Sequence, residues 1–200
     1  KLFFSAEDGT HGMELWVSDG TEAGTTLLKD IYPGATWREA GWAGNSAVCN
    51  NNLIFVAKDG IHGAELWATD GTEVGTYLVK DIGNDTEVGI AWSGLGGYSA
   101  SGLFYTYNNK VYFPACDGRT SVGQHDTELW CSDGTEAGTY MVKDIRPDEG
   151  STPQGFCEFN GLLYFRAYDG GQGQGGHGGE LWVTDGTEAG THLFKDIAAV

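Results

Sequence analysis

Four short stretches of this chain bring acids, a histidine and glycines together in one pattern. In the first, Asp8-Gly9-Thr10-His11-Gly12-Met13-Glu14, two carboxylates stand among backbone carbonyls and flexible glycines, the hard-oxygen composition that a calcium ion takes. The counterparts are Asp59, His62 and Glu65, then Asp117, His125, Asp126 and Glu128, then Asp169, His177 and Glu180. Two readings stand. The acids Asp8, Glu14, Asp59, Glu65, Asp117, Glu128, Asp169 and Glu180 are calcium ligands, or each Asp caps its own turn, each His hydrogen-bonds within the loop and each Glu pairs with a repeated lysine. The spacing is not that of an EF-hand loop, which favours the second reading. The four histidines could also hold zinc or copper if their loops converged on a common axis. As hairpin tips, these loops are expected to lie away from such an axis.

A second set of chemistry-bearing residues lies outside the pattern. Trp37, Arg38 and Trp42 fall in the stretch from Tyr32 to Asn45, Trp92 and Tyr98 in that from Gly83 to Gly102, and Pro147, Asp148 and Glu149 between Arg146 and Gly155. Aromatic rings beside hydrogen-bonding side chains suit a sugar, whose apolar face stacks while its hydroxyls are paired. The competing reading is that these rings plug the mouth of a channel. Asp148 and Glu149 could serve as an acid and base pair, although adjacent loop residues usually point apart. No serine occupies a G-x-S-x-G elbow, so hydrolysis ranks behind binding.

The elements that must position these residues are stated four times. The run Glu14 to Ile31, ELWVSDGTEAGTTLLKDI, returns at Glu65 to Ile82, Glu128 to Ile145 and Glu180 to Ile197. A period of roughly fifty to sixty residues means a propeller, a solenoid or an array. Each copy follows a short aromatic and β-branched run, at Leu2 to Ala6, Leu53 to Ala57, Val111 to Ala115 and Leu162 to Ala167, and Asp-Gly turns separate the runs. A further strand is expected upstream of the last three, at Ala47 to Cys49, Tyr105 to Tyr107 and Phe156 to Phe159, joined through Asn-bearing turns. Four short antiparallel strands per unit, repeated in tandem, spell an all-β fold, a four-bladed β-propeller or part of a larger ring. One domain over 1–200 would hold blades at about 1–31, 45–82, 103–145 and 155–197, the first lacking its innermost strand. Lys1 already lies inside an expected strand, so a processed chain or a fragment is expected.

The net charge of −17 is largely a property of the scaffold, because each unit repeats the same five acids and one lysine. It still argues against nucleic acid and anionic membranes, both of which need a basic face. No apolar run reaches membrane length, so insertion is not expected.

With its upstream DGTHG and downstream KDI, ELWVSDGTEAGT resembles the ELWxxDGT repeat found in tandem in secreted or surface bacterial and marine proteins. The resemblance covers essentially the whole chain. It implies a propeller-like extracellular repeat domain and no reaction. The DGT turn is also similar to the Asp-box of sialidase propellers, itself a structural element, although there the tryptophan follows the aspartate and here it precedes it. Together these readings point to a secreted, lectin-like carbohydrate-binding module with calcium as a candidate cofactor and a glycan or matrix component as partner, able to form oligomers. An adhesive repeat that binds other proteins and a glycan-cleaving enzyme are the alternatives.

Four cysteines in such a chain allow two disulfides. Aligning the units places Cys116 and Cys131 on neighbouring antiparallel strands, where a bridge is expected. Cys49 and Cys157 fall on innermost strands of the second and fourth units, and either bridge the channel or remain buried thiols.

Overall fold

The computed structural model describes residues 1–34, 45–83, 103–118, 127–147, 149–171 and 176–197. These form fifteen β-strands and no helix. Sheet 1 holds β1 (Leu2–Glu7), β2 (Met13–Ser18) and β3 (Thr26–Leu27). Sheet 2 holds β4 (Ser46–Cys49), β5 (Asn52–Lys58), β6 (Ala64–Thr69) and β7 (Thr76–Lys80). Sheet 3 comprises β8 (Tyr105–Tyr107), β9 (Lys110–Cys116), β10 (Thr127–Ser132) and β11 (Tyr140–Lys143). Sheet 4 comprises β12 (Gln154–Phe159), β13 (Leu162–Tyr168), β14 (Gly179–Thr184) and β15 (His192–Lys195). Every sheet is an antiparallel meander in chain order.

Local chemistry explains each turn. The first and second strands of sheets 2 to 4 join through two-residue loops with both residues at positive φ: Asn50 and Asn51, Asn108 and Asn109, Asn160 and Gly161. That is the turn whose twist matches the flanking strands, and asparagine tolerates it better than other side chains. The D-G-T-E turn between the last two strands is held by side chains. In sheet 2, Asp70 Oδ1 accepts hydrogen bonds from the Thr72 backbone N–H at 2.8 Å and the Thr72 hydroxyl at 2.6 Å, and Thr72 Oγ1 accepts one from Gly75 N at 3.0 Å. The same bonds recur at Asp19, Asp133 and Asp185. A Cβ at Gly75 would stand 2.2 Å from Asp70 Oδ1, so the glycine is required by space.

Strand alternation gives each sheet two faces. One carries the Phe and Trp pairs that face each other across the second and third strands: Phe4 with Trp16, Phe55 with Trp67, Phe113 with Trp130, Phe165 with Trp182. The other is mainly aliphatic. The aliphatic face of sheet 1 (Leu15, Val17, Leu28) packs on the aromatic face of sheet 2 (Leu53, Phe55, Ala57, Trp67). Sheet 2 packs on sheet 3 in the same sense, through Ile54, Val56, Leu66 and Val79 against Val111, Phe113, Ala115 and Trp130. Sheet 3 packs on sheet 4 through Tyr112, Leu129, Cys131 and Val142 against Leu163, Phe165, Ala167 and Trp182. Trp67, Trp130 and Trp182 are therefore core, whereas Trp16 is half-buried, and truncating a Phe or Trp in such a joint costs about 3–5 kcal/mol. Among the described residues no apolar cluster joins sheet 4 back to sheet 1.

The joints are tightest at the first strands, where β4 lies against β8 and β9, and β8 against β12. Across the first two joints a long side chain bridges the last strands. Lys29 Nζ donates to Thr76 O at 2.7 Å and Lys80 Nζ to Thr139 O at 2.9 Å. The repeated lysine thus serves the next sheet's backbone, and does not pair with the repeated glutamate.

Replacing Gly75 by Ala is expected to force the Asp70 turn open and lower stability by about 1–3 kcal/mol, the cost of the displaced hydrogen bonds. Chemical denaturation measures this directly. An unchanged midpoint would show that the turn is not under the constraint described.

Candidate functional site

Among the described residues, the hairpin tips between the second and third strands hold three matching Asp-His pairs. Asp8 Oδ1 accepts the backbone N–H groups of Thr10 and His11 at 2.8 and 2.9 Å, and Asp8 Oδ2 lies 2.6 Å from His11 Nδ1. Asp59 does the same for Ile61, His62 and the His62 ring, and Asp169 for His177, Gly178 and the His177 ring. The sequence separation is three residues in the first two tips and eight in the last, yet the geometry is one.

The electrostatics follow. The backbone N–H of His11, then its ring, hold the Asp8 carboxyl down at about 2. Partial burial opposes ionisation of Asp59 and Asp169, but the hydrogen bonds from His62 and His177 outweigh it and lower both. Each imidazole is correspondingly raised by its aspartate. Such a carboxylate fixes the ring orientation with Nδ1 as donor and makes Nε2 the more basic nitrogen, able to accept a proton or a ligand's hydrogen bond.

The repeated glutamates play a different part. Glu65 is fully buried and accepts hydrogen bonds from Ile82 N at 2.8 Å and Gly83 N at 3.1 Å. Glu128, also fully buried, accepts from Ile145 N, Arg146 N and the Ser151 hydroxyl at 3.0, 3.0 and 2.6 Å. Glu14 accepts from Tyr32 N and Glu180 from Ile197 N. Each glutamate at the start of the third strand therefore ties down the backbone just after the fourth. Burial pushes Glu65 up to about 8 and Glu128 to about 7, against the downward pull of their donors.

That tie decides where the loops go. The fourth strand ends, the first strand of the next sheet begins and the Asp-His tip turns, all at one end of the sheets. The linkers also touch the tips: a Cβ on Gly60 would meet the Tyr32 ring at 2.4 Å, and Arg146 sits over the Tyr168 ring at 4.8 Å, beside Gly170. The opposite end carries the Asn turns and the D-G-T-E turns. The Asp-His tips and the ends of the inter-sheet linkers thus share one end of the sheets.

Trp37, Arg38, Trp42, Trp92 and Tyr98 lie outside the described residues, as do His125, Asp126 and Asp148. The segments that carry the five binding candidates leave from and return to the Asp-His end. Glu149 pairs with the Arg146 guanidinium. Of the eight acids read as calcium ligands, the four glutamates serve backbone N–H groups, Asp8, Asp59 and Asp169 bind their own tips, and Asp117 follows β9 directly. No group of three or more His, Cys, Asp or Glu side chains is placed to hold a metal among the described residues.

The expected Cys116–Cys131 disulfide is absent, and of the two alternatives for Cys49 and Cys157 the thiols are found, Cys49 buried and Cys157 exposed. Cys116 pairs with Thr127 and Cys131 with Tyr112, so the two are offset by four residues along the strands, about 13 Å. Cys49 and Cys157 are separated by sheet 3; Cys49 Sγ donates to Asn109 O at 3.0 Å, and Cys157 is exposed.

No family model matches this chain, and no curated protein matches it. Among solved structures it is similar to the computationally designed Ika8 protein, at 14% identity and a TM-score of 0.44, over 98% of this chain and 46% of that one. The chain thus spans less than half the length of the designed protein. It is also similar to an alpha-L-arabinofuranosidase from Clostridium thermocellum, at 10% identity and a TM-score of 0.33, over 96% of this chain and 70% of that one.

Two outcomes are expected in solution. Glu65 keeps in the fold a proton that the unfolded chain releases above 4.5, so its contribution is full below that pH and is lost as pH rises towards about 8. The raised histidines act in the same direction, while the lowered aspartates contribute above 3.8 and lose their effect as pH falls towards about 2. The melting temperature should therefore fall as pH climbs from 4.5 to about 8, less steeply in Glu65→Gln. A rising profile in that window contradicts the assignment. With a thiol reagent, Cys157 should react in the folded protein and the three buried cysteines only on unfolding. Non-reducing peptide mapping that found a bridged pair would overturn the thiol state.

Proposed function

We propose that this chain is an extracellular carbohydrate-binding module in which the four sheets are blades of a β-propeller. The observation that carries the binding reading is the gathering of both loop classes at one end of the sheets. The non-repeating linkers, which hold Trp37, Arg38, Trp42, Trp92 and Tyr98, emerge beside the oriented imidazoles of the Asp-His tips. Stacking rings and hydrogen-bonding groups then address one ligand from a rigid scaffold, as loops on sheet frameworks commonly do. The blade reading is supported by the close approach of first strands at successive joints, with lysine side chains spanning the last strands. A strictly linear stack would space both edges alike. Calcium enters this reading as a bridge between sugar hydroxyls and the exposed edge of the Asp-His end, and not as a ligand of the buried glutamates.

A glycan array probed with and without chelator tests the proposal. Binding of a defined glycan class is expected, with Trp42→Ala and Trp92→Ala each weakening it about tenfold at unchanged folded fraction. If Trp42→Ala instead lowers stability and leaves binding per folded molecule constant, the ring is a structural plug and the carbohydrate reading fails. Loss of signal on chelation would assign calcium a part, and an unchanged signal would remove it.

A further inference from the structure

The residue that opens each inter-sheet linker follows the isoleucine of the repeat: Tyr32 after sheet 1, Gly83 after sheet 2 and Arg146 after sheet 3. Tyr32 and Arg146 take one place. Tyr32 lies against Gly60 in the tip of sheet 2. Arg146 lies against Gly170, the equivalent glycine in the tip of sheet 4, where an added Cβ would stand 3.9 Å from Arg146 Nε. A flat ring and a flat cation thus occupy the same seat between a linker and the tip that follows it. The charge is found only in the third linker, so this is a point at which the repeat departs from itself.

The guanidinium is held in that seat. It lies over the Tyr168 ring at 4.8 Å, and the Arg146 side chain keeps 18% of its surface. The segment behind it is a strut between two tips. Ser151 N and Thr152 N donate to Thr127 O at 2.8 and 3.0 Å at the head of β10, and Tyr168 N donates to Ser151 O at 2.8 Å from sheet 4. The Ser151 hydroxyl reaches the buried Glu128, and Glu149 N and Gly150 N turn back to Arg146 O at 3.4 and 3.1 Å. Within the strut Thr152 has a φ of 48°. A β-branched residue is a rare occupant of that left-handed region, and Pro153 after it narrows the choice further. Such strain persists where the surroundings over-determine it, and it gathers at ligand clamps.

One carboxylate occupies the open side of this cation. Glu149, with 57% of its side chain exposed, pairs with the Arg146 guanidinium. Asp169, the acid of the adjoining tip, spends its oxygens on the His177 ring and on the N–H groups of His177 and Gly178. Glu149 is therefore the exchangeable partner. An exposed ion pair contributes little, and a ligand carboxylate makes the same planar two-bond contact with a guanidinium.

We propose that Arg146 is a specificity-determining residue for acidic glycans, binding the carboxylate of a uronic acid by displacing Glu149 from the guanidinium. The inference rests on the carbohydrate reading and adds the charge of the ligand to it. The net charge of −17 opposes anions in general, so one fixed guanidinium selects a sugar with an isolated carboxylate over a densely sulfated chain.

A glycan array with uronate-bearing, neutral and sulfated oligosaccharides matched in length tests this, with the affinities of bound classes measured by calorimetry. Oligouronates should bind about tenfold tighter than neutral oligosaccharides, by a margin that shrinks as salt rises. Arg146→Gln should remove that margin and leave neutral binding as before, and Arg146→Lys should keep only part of it, because an ammonium lacks the planar fork. Glu149→Gln decides even where Arg146→Gln is unstable. Without the internal competitor, oligouronates should bind about threefold tighter, the strength of one exposed pair, with neutral binding unchanged. Glu136→Gln, an equal change of charge at the opposite end of sheet 3, should alter neither, and a purely structural Arg146–Glu149 pair would make Glu149→Gln neutral or weakening. Equal wild-type affinity for uronate and neutral sugars, tighter binding of sulfated chains than of uronates, or no tightening in Glu149→Gln would overturn the role of Arg146 and leave the carbohydrate reading standing. Absence of binding to all three series would overturn both.

Discussion

A short antiparallel sheet with two apolar faces cannot stand alone in water, and the rest of this molecule follows from that constraint. Each face must be covered, and the repeat supplies the cover by presenting aromatic side chains on one side and aliphatic ones on the other. The burial is graded accordingly. In sheets 2 and 3 both faces are covered, so Ile54 and Phe55 are equally inaccessible although they point in opposite directions. In sheet 4 the aromatic face buries Leu163, Phe165 and Ala167, while on the other face Val183 is buried and Arg166 reaches solvent. An arginine is tolerated there because the position meets water and not a neighbouring sheet.

The second organising interaction is the buried glutamate at the head of the third strand. A carboxylate taken out of water is costly unless it is hydrogen-bonded. Here backbone N–H groups at the start of each linker donate to it, with the Ser151 hydroxyl added at Glu128, but burial outweighs them, so that Glu65 and Glu128 hold a proton up to about 8 and about 7. The consequence is topological as much as energetic. By pinning the chain as it leaves each sheet, the glutamate fixes the end from which the linkers depart and so brings them beside the Asp-His tips. Serving this role uses the carboxylates that composition alone offered to a metal.

The Asp-His tips show how one geometry survives a change in loop length. Asp169 meets His177 across a glycine-rich insertion and still caps the histidine's own N–H, as Asp8 does three residues from His11, but takes its second N–H from Gly178 after the histidine where Asp8 takes it from Thr10 before it. The aspartate is first a turn-former and second a partner that orients the imidazole. That double duty places a basic nitrogen at the edge of the linker face in sheets 1, 2 and 4, while the linkers themselves differ. A constant frame with variable loops is the arrangement in which specificity can change without disturbing the fold.

How much of this was legible in the residues can be judged position by position. The sequence by itself determined the strands, the turns and the core face, because these depend on local spacing: alternation sets Phe55 and Trp67 on one side, Asn50 and Asn51 demand a tight positive-φ turn, and Gly75 is required beside Asp70. The Asp-His bond was within reach for the same reason, since both partners sit in one hairpin. What spacing could not supply was any relation that depends on which end of a strand faces which. The glutamate's partners lie seventeen or more residues away, the lysine's acceptor lies in another sheet, and Cys116 and Cys131 are separated by a register offset that alignment of unequal loops concealed. The gathering of linkers and tips at one end, and the cover that one sheet gives the next, were likewise decided only when the sheets packed, because covering a face is a relation between sheets that no single repeat contains.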